Sequence, residues 1–315
     1  MAAIETTALT KEYGDVRAVD GLSLTVEEGE IFGFLGPNGA GKSTTINVLL
    51  DYVRPTSGDV SVLGIDPRER PEEVRARLGV LPEGYALYDR LSARQHVRFA
   101  AQMEGVDVDP ETVLDRVGLD AADADRAVGG FSKGMTQRLA FAMALVGEPD
   151  LLILDEPSSG LDPNGAREMR ELVRAERDRG ATVFFSSHVM EQVEAVCDRV
   201  GIMNDGDLVA VDTVEGLRDR LGSGSTLVVT VDAVPDTSGV QAIDGVTDVT
   251  VRGDVLRVSC TDPGVKADVI ERVSAAGATV RDIDVEEASL EDLFTEYTNA
   301  GAGPESDAST GVSEA

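Results

Sequence analysis

The glycine-rich segment GPNGAGKS at 36–43 constrains the fold of this chain more than any other feature. It follows the apolar stretch EIFGFLG and precedes STTINVLLDYV, which has the composition of a helix. Strand, glycine-rich loop and helix in this order form the unit in which backbone N–H groups surround a polyphosphate. Because that unit occurs on a parallel sheet covered by helices, the sequence predicts an α/β fold.

The loop is predicted to hold a nucleoside triphosphate. Glycines leave room for a close approach of the backbone, and Lys42 brings a mobile charge to the β- and γ-phosphates. The Ser43 hydroxyl is a predicted Mg²⁺ ligand, and Thr44 adds a hydroxyl toward the α-phosphate. The predicted contact residues are Gly36, Pro37, Asn38, Gly39, Ala40, Gly41, Lys42, Ser43 and Thr44.

Two carboxylates end the apolar stretch LLILDEP at 151–157. The carboxyl ends of parallel strands border the ligand crevice, so Asp155 is predicted to hold a water ligand of Mg²⁺ and Glu156 to act on the attacking water. On their own these residues fit the acidic start of a helix equally well. Together with the phosphate loop they favour hydrolysis.

His188 ends another strand, TVFFSSH. A histidine there can be a packing or capping residue, but at a strand tip beside the γ-phosphate it can donate to the phosphate or the water. His96 falls within a predicted helix and is interpreted as structural.

The signature segment FSKGMTQR (131–138) predicts a second anion site. Ser132 stands where a helix N-cap belongs, and the free N–H groups of a helix start favour negative charge. The phosphate loop lies far upstream, so the ligand of this second site must be explained separately.

The chain divides into three regions by sequence. Apolar strands alternate with helices over 1–221, which indicates a parallel sheet covered on both faces. After GSGS the order βαββαβ over 222–300 predicts a small α+β ferredoxin-like accessory domain with an added helix. The small, polar and acidic residues 301–315 predict a disordered tail.

At this point the sequence resembles a known family. Over residues 4–220 it is similar to the nucleotide-binding subunits of ATP-binding-cassette (ABC) transporters, through GPNGAGKST, FSKGMTQR, LLILDEP, SSGLD and SSH in that order. The resemblance implies a cassette with a parallel core sheet, an antiparallel β subdomain and a helical subdomain. It implies ATP and Mg²⁺ as cofactors, and an ATPase that works as the motor of a membrane transporter.

The resemblance also implies an assembly. Two copies would face each other head to tail, so that Ser132 and Gly134 contact the γ-phosphate of ATP held by the other copy. Asp162 would cross the interface, and Tyr13 would stack on adenine, although it could simply pack locally in its turn. A separate permease would dock at residues 84–147, which places the homodimer in the cytoplasm, peripheral on the inner face of the membrane.

Three residues depart from the family pattern. Lys133 replaces a glycine of the signature segment, Met135 replaces a glutamine, and Glu83 stands where the family usually has glutamine. Glu83 can still approach Mg²⁺ or the lytic water. These departures resemble the exporter branch of the family and leave the cargo open.

Two other functions remain open at this stage. The first is a soluble cassette ATPase acting on the ribosome or DNA, and the second is a regulatory module without turnover. A net charge of −30, from 28 basic and 58 acidic residues, argues against nucleic-acid partners, because such binding depends on phosphate neutralisation. The intact Asp155, Glu156 and His188 argue against lost turnover.

The acidic composition predicts adaptation to high salt, although an acidic surface that serves solubility alone would have the same composition. At molar salt the Debye length falls to about 3 Å, so the self-repulsion of the folded chain is screened. We expect the melting temperature to rise steeply between about 0.1 and 2 M KCl. A melting temperature that stays flat over this range would contradict the prediction.

Overall fold

The computed structural model describes residues 1–221, 226–260, 264–286 and residue 294. The chain forms two compact units, Met1–Val214 and Glu215–Ala315. Strands of the first unit are β1 (Ala2–Tyr13), β2 (Val16–Glu27), β3 (Ile31–Leu35), β4 (Ser57–Val62), β5 (Leu78–Leu81), β6 (Leu151–Asp155), β7 (Thr182–Ser187), β8 (Arg199–Asn204) and β9 (Asp207–Asp212). Its helices are α1 (Lys42–Leu49), α2 (Pro71–Arg75), α3 (Ala93–Glu104), α4 (Pro110–Arg116), α5 (Ala121–Ala124), α6 (Lys133–Ala144), α7 (Pro163–Asp178) and α8 (Met190–Glu194).

The central sheet of the first unit has the order β5–β6–β7–β3–β8–β9, and only β9 is antiparallel to its neighbour. Strands β3, β6 and β7 are buried along their whole length, as their near-continuous apolar sequences predict. Phe184 lies at the centre, with ring centroids 5.9 Å from Phe32 and 5.1 Å from Phe34. The predicted α/β cassette core is therefore confirmed.

A separate antiparallel sheet has the order β2–β1–β4. Alternate residues of β1 and β2 are buried, and Ile4, Leu9 and Leu22 join the same hydrophobic core as Phe32 and Phe34. Helices α3 to α6 follow each other between β5 and β6 and contact one another. These are the antiparallel and helical subdomains that the family resemblance implied.

Two predicted elements of the first unit differ from the observed ones. The predicted helix over 43–53 ends at Leu49, because Asp51 adopts a φ of 54° in the turn that follows. The strand signal over 199–211 forms the two antiparallel strands β8 and β9, since Asp205 and Gly206 both have positive φ values and make a tight turn.

The second unit contains β10 (Thr226–Val231), α10 (Ser238–Gln241), β11 (Val246–Arg252), β12 (Val255–Cys260), α11 (Val265–Ala275) and β13 (Val280–Glu286), while α9 (Val214–Leu221) spans the boundary. The sheet order β11–β12–β10–β13, antiparallel throughout, is that of a ferredoxin-like βαββαβ domain, which confirms the predicted class. Apart from residue 294, the predicted final helix (289–298) lies outside the described residues, as does the tail 301–315.

Among the described residues, no helix combines the length and the apolar character that crossing a bilayer requires. The longest apolar run of the sequence, Leu139–Val146, lies largely within α6 and is mostly buried in the first unit.

The aromatic centre of the sheet generates a stability prediction. Phe184→Ala removes a ring that is fully buried, so we expect the free energy of unfolding of the first unit to fall by about 3–5 kcal/mol in urea denaturation at fixed salt. Phe99→Ala is the matched control, since Phe99 is 45% exposed, and should change it by less than about 0.5 kcal/mol. Equal losses in the two variants would refute this account of the core.

Candidate functional site

The predicted site residues meet where β3, β6 and β7 end side by side. Leu35 pairs with Ser187, and Asp155 pairs with Ser186, so the residues that follow these strands emerge at one edge of the sheet. They surround a cavity of about 390 Å³. Its walls are formed by Ala18, Pro37, Asn38, Gly39, Gly41, Lys42, Ser43, Thr44, Glu83, Asp155 and Glu156.

The loop between β3 and α1 curls around the Lys42 side chain. Gly41 caps α1 with a φ of 105°, and the buried Lys42 Nζ donates to the carbonyl oxygens of Gly36 at 2.7 Å and Pro37 at 3.2 Å. Desolvation lowers the pKa of Lys42, although the carboxylates of the cavity oppose that shift. The ammonium is therefore held where a negatively charged ligand would stabilise it.

Two glycines of the loop are required by the protein itself. A Cβ on Gly36 would meet the carbonyl oxygen of Met203, and a Cβ on Gly41 would meet that of Ala18. The N–H of Gly206, in the turn between β8 and β9, donates to Ala40 O at 3.1 Å. The loop is thus fixed by contacts with the neighbouring strands. These contacts require the two glycines independently of any phosphate that approaches the loop.

Asp155 is a buried carboxylate at the end of β6. Its side-chain oxygen accepts a short hydrogen bond from the hydroxyl of Ser186 on β7. Burial raises the pKa of Asp155, and the nearby charge of Glu83 adds to that shift. Burial makes this carboxylate costly to keep charged without a partner. It is therefore suited to bind a cation.

Glu156 and His188 form a hydrogen-bonded pair. The Nδ1 atom of His188 lies 2.9 Å from Oε1 of Glu156, whose side chain is only 8% exposed against 48% for the histidine. Glu156 has a φ of 52°, and its N–H donates to the carbonyl oxygen of Ser186 at 3.2 Å. A non-glycine residue in this conformation is strained, and the surrounding hydrogen bonds hold it there.

The oxygen atoms of the cavity fit a Mg²⁺ site that is completed by phosphate. Ser43, Glu83 and Asp155 all line the walls, and Mg²⁺ is commonly held by one or two protein carboxylates together with substrate oxygens. Among the described residues, no three His, Cys, Asp or Glu side chains group so as to hold a metal ion by themselves. This arrangement fits a metal that arrives with a nucleotide.

The signature segment lies outside the cavity walls. Ser132 caps α6, its hydroxyl accepting from the N–H of Met135 at 3.3 Å, which confirms the predicted N-cap. The Lys133 ammonium lies against Gly160, in the space that a Cβ there would take. None of the cavity walls comes from Ser132 or Gly134.

Met135, one of the departures from the family pattern, has a local partner. Its sulfur lies 3.2 Å from the Arg126 guanidinium, which also stacks on the Phe131 ring at 4.8 Å from the centroid. The guanidinium therefore supports the turn that precedes Ser132.

Two other predicted residues occupy loop ends. Tyr13, at the end of β1, is half-exposed with the Lys11 ammonium 4.8 Å from its ring centroid, and it is not a wall of the cavity. Asp162 caps α7 by accepting from the N–H of Gly165 at 2.7 Å.

His96 is buried, with Nε2 accepting from Tyr88 N–H and Nδ1 beside Ser92 O, which confirms its structural role.

Sequence reasoning did not assign a role to Ser186, Ala18 or Tyr85. The register of β7 could have indicated Ser186, because it lies directly beside Asp155. Ala18 and Tyr85 gave no signal, since their positions depend on contacts between distant segments.

Comparison with known proteins gives a consistent result. A family model described as ABC transporter matches residues 19–159, and one described as ATP-binding protein DrrA1-3-like, C-terminal domain, matches 213–298. The linearmycin resistance ATP-binding protein LnrL of Bacillus subtilis is 33% identical over 300 residues, covering 92% of this chain and 96% of that protein. The bacitracin transport ATP-binding protein BcrA of Bacillus licheniformis is 42% identical over 220 residues, covering 69% and 72%. A solved ATP-binding subunit of an ABC transporter has a TM-score of 0.63 at 30% identity, covering 70% of this chain and 93% of that one.

The raised pKa of Asp155 predicts that this carboxylate lowers the stability of the nucleotide-free protein. A carboxyl whose pKa is higher in the folded than in the unfolded state destabilises the protein when it is ionised. Asp155→Asn should therefore raise the melting temperature of the nucleotide-free protein at pH 7. The gain should shrink as the pH falls through the raised pKa of Asp155 toward its ordinary value, because the wild-type carboxyl is then protonated as well.

The measurement is a series of thermal melts between pH 7 and pH 4 at constant salt. Asp207→Asn, which alters an exposed carboxylate, is the control and should show little change. An Asp155→Asn protein that melts below the wild type at pH 7 would disprove the burial cost.

Proposed function

The chain belongs to the family of ATP-binding subunits of ABC transporters, and from that premise we propose that two copies bind ATP between them, head to tail. One observation carries the proposal: the capped start of α6 at Ser132, a feature of the kind that favours negative charge, lies outside the cavity formed by the phosphate loop of the same chain. A second copy would bring Ser132 and Gly134 to the γ-phosphate in the opposing cavity. Asp162 would cross the same interface, and Tyr13 would stack on the adenine.

The proposed reaction is hydrolysis of ATP to ADP and phosphate by a water molecule that Glu156 polarises. A protonated His188 would donate from Nδ1 to Glu156, which orients the carboxylate, and from Nε2 to the γ-phosphate. Lys42 stabilises the charge on the transferring group, with the loop N–H groups of 36–44 around the phosphates. A Mg²⁺ ion held by Ser43, Asp155 and Glu83 would neutralise charge on the phosphate oxygens.

Closure of the dimer is the proposed source of mechanical work. ATP makes contacts with both copies, and hydrolysis followed by phosphate release removes those of the γ-phosphate. The closed state is therefore favoured only while ATP makes contacts in the closed dimer that it does not make in the open one. A cycle of closing and opening would follow each round of hydrolysis.

We infer that the moving partner is a separately encoded permease, and that it docks in a groove beside Glu83. This docking groove has a volume of about 390 Å³ and is lined by Pro82 and Tyr85, by Ala100 and Glu104 of α3, and by α6. Tyr52, also in its wall, is 66% exposed, and α3 exposes Met103. An apolar segment of a membrane protein would cover these side chains and place the chain at the cytoplasmic face of the membrane.

The names of the drug-resistance and transport relatives favour an exporter.

Three further sequence predictions stay as proposals. Salt adaptation and the absence of nucleic-acid partners rest on the net charge of −30. The third is the division into a cassette at 1–221, an accessory domain at 222–300 and a tail at 301–315, which rests on composition. Along the chain, the boundary between the two compact units falls between Val214 and Glu215.

The mechanism is tested with Glu156→Gln. This variant should bind ATP and remain as a stable ATP-bound dimer in sedimentation experiments, while phosphate release falls by about 10²- to 10⁴-fold, because the amide cannot take a proton from water. Glu28→Gln, in an exposed turn, is the control and should hydrolyse ATP as the wild type does. Full turnover in Glu156→Gln, or a variant that stays monomeric with ATP, would reject the proposal.

A further inference from the structure

Strand β11 forms a free edge of the sheet in the second unit. Among the described residues, the order β11–β12–β10–β13 leaves β11 and β13 as the two outer strands. An outer strand carries a row of backbone N–H and C=O groups without partners in the sheet, which makes it a template for a strand of another chain. Proteins commonly guard such edges with charged side chains or with proline.

The two edges differ in how they are guarded. Strand β13 exposes three carboxylates at alternate positions, Asp282, Asp284 and Glu286. Two copies of β13 paired antiparallel about Asp284 would set each of these carboxylates opposite another one, which is unfavourable. Strand β11 (VTDVTVR) contains neither proline nor lysine, and its Val251 is 42% exposed. Of the two edges, β11 is therefore the one that is open to pairing.

The hairpin between β11 and β12 determines which backbone groups of β11 face outward. Arg252 pairs with Val255 across the two-residue turn at 253–254. The closing pair of such a turn is hydrogen-bonded, and hydrogen-bonded pairs alternate along antiparallel strands. The backbone groups of Val249 and Val251 therefore point away from β12, toward the free edge.

The polar side chains of β11 complement one another in one register. Asp248, Thr250 and Arg252 lie on the face of the sheet opposite to the core, because the residues between them pair with the buried Leu256 and Val258. When two β11 strands run antiparallel about Thr250, Asp248 of each copy faces Arg252 of the other copy. Opposite charges at directly facing positions stabilise a pair of strands.

The apolar side chains and the backbone favour the same register. Val249 of one copy faces Val251 of the other, and these are the residues whose backbone groups point outward, so they can exchange hydrogen bonds. A register centred on Val249 or on Val251 would leave Asp248 and Arg252 without opposite charges. The irregular register between Val246 and Asp248 ends the regular part of β11, so the pairing segment is short.

We propose that β11 pairs with β11 of a second copy, antiparallel about Thr250, so that the two four-stranded sheets form one continuous sheet. The charges identify a second copy as the occupant, since neither Asp248 nor Arg252 has an ion-pair partner among the described residues. The contact is isologous and closes on itself, which gives a dimer and not a filament. It goes beyond the proposed ATP-bound dimer, because it requires no nucleotide and would keep two copies together after phosphate release.

The test uses the full chain without nucleotide, at the lowest KCl concentration at which all variants keep the circular dichroism spectrum of the wild type. Sedimentation equilibrium measures the dimer dissociation constant. Asp248→Arg and Arg252→Asp should each weaken the dimer about tenfold, because each sets two pairs of like charges across the contact. The double variant exchanges the two charges and should restore the wild-type constant to within about twofold. Asp284→Arg, on the opposite edge of the sheet, is the matched control and should leave the constant unchanged.

A second experiment locates the contact by crosslinking. Thr250→Cys would bring two thiols face to face at a Cα separation within the range of about 4.4–6.8 Å that a disulfide bridges, and should form a covalent dimer under mild oxidation. Thr230→Cys, on the inner strand β10, is the control and should remain monomeric on denaturing gels, as should the wild type with its native cysteines.

Three results would overturn the inference. They are a double variant that dimerises no better than the single ones, a Thr230→Cys crosslink as strong as that of Thr250→Cys, and a wild type that shows no association without nucleotide. Dimerisation of Glu156→Gln with Mg-ATP is measured separately in the Asp248→Arg background. Failure of that dimer would count against the proposed function, and failure of the nucleotide-free contact would count against the inference alone.

Discussion

The register of three parallel strands is the constraint on which the site depends. Strands β3, β6 and β7 lie next to one another and end at the same level, so Gly36, Glu156 and His188 leave the sheet together. Each strand is held in place by burial of its whole length and by the aromatic contacts around Phe184. A shift of one residue in any of these strands would turn its side chains to the other face. The buried core therefore determines the geometry of the chemical groups as well as the stability of the unit.

The charges around the cavity favour a ligand that comes with a cation. The walls contain the carboxylates of Glu83, Asp155 and Glu156 against the single ammonium of Lys42. A phosphate chain alone would meet repulsion from those carboxylates at short range. With a divalent cation between them, the same oxygens become ligands, and the cost of burying Asp155 in the charged form is offset. Strain at Glu156 and desolvation at Asp155 thus fall on two residues that are proposed to act on the ligand.

Much of this arrangement could be predicted from local sequence. Apolar strands ending in Asp155, in His188 and in the glycine-rich loop are continuous patterns, and the N-cap at Ser132 depends on neighbouring residues alone. Contacts between distant segments could not be predicted. Tyr85 and Gln137 are 52 positions apart, and Lys133 reaches Gly160 only because the folded chain brings two turns together. The end of α1 was also missed, because the positive φ of Asp51 has no clear sequence signal.

The turn at Asp205 and Gly206 has a consequence for work with this protein. Tight hairpin turns are commonly chosen as sites for epitope tags, fluorescent reporters or circular permutation, because changes there usually leave the core intact. Here the Gly206 N–H is bonded to Ala40, and the Gly206 carbonyl accepts from Asp20 N–H at 2.9 Å. A label inserted in this turn would disrupt the contact between the phosphate loop and the turn that joins β8 and β9. Its signal would then reflect a disturbance that the label itself had caused.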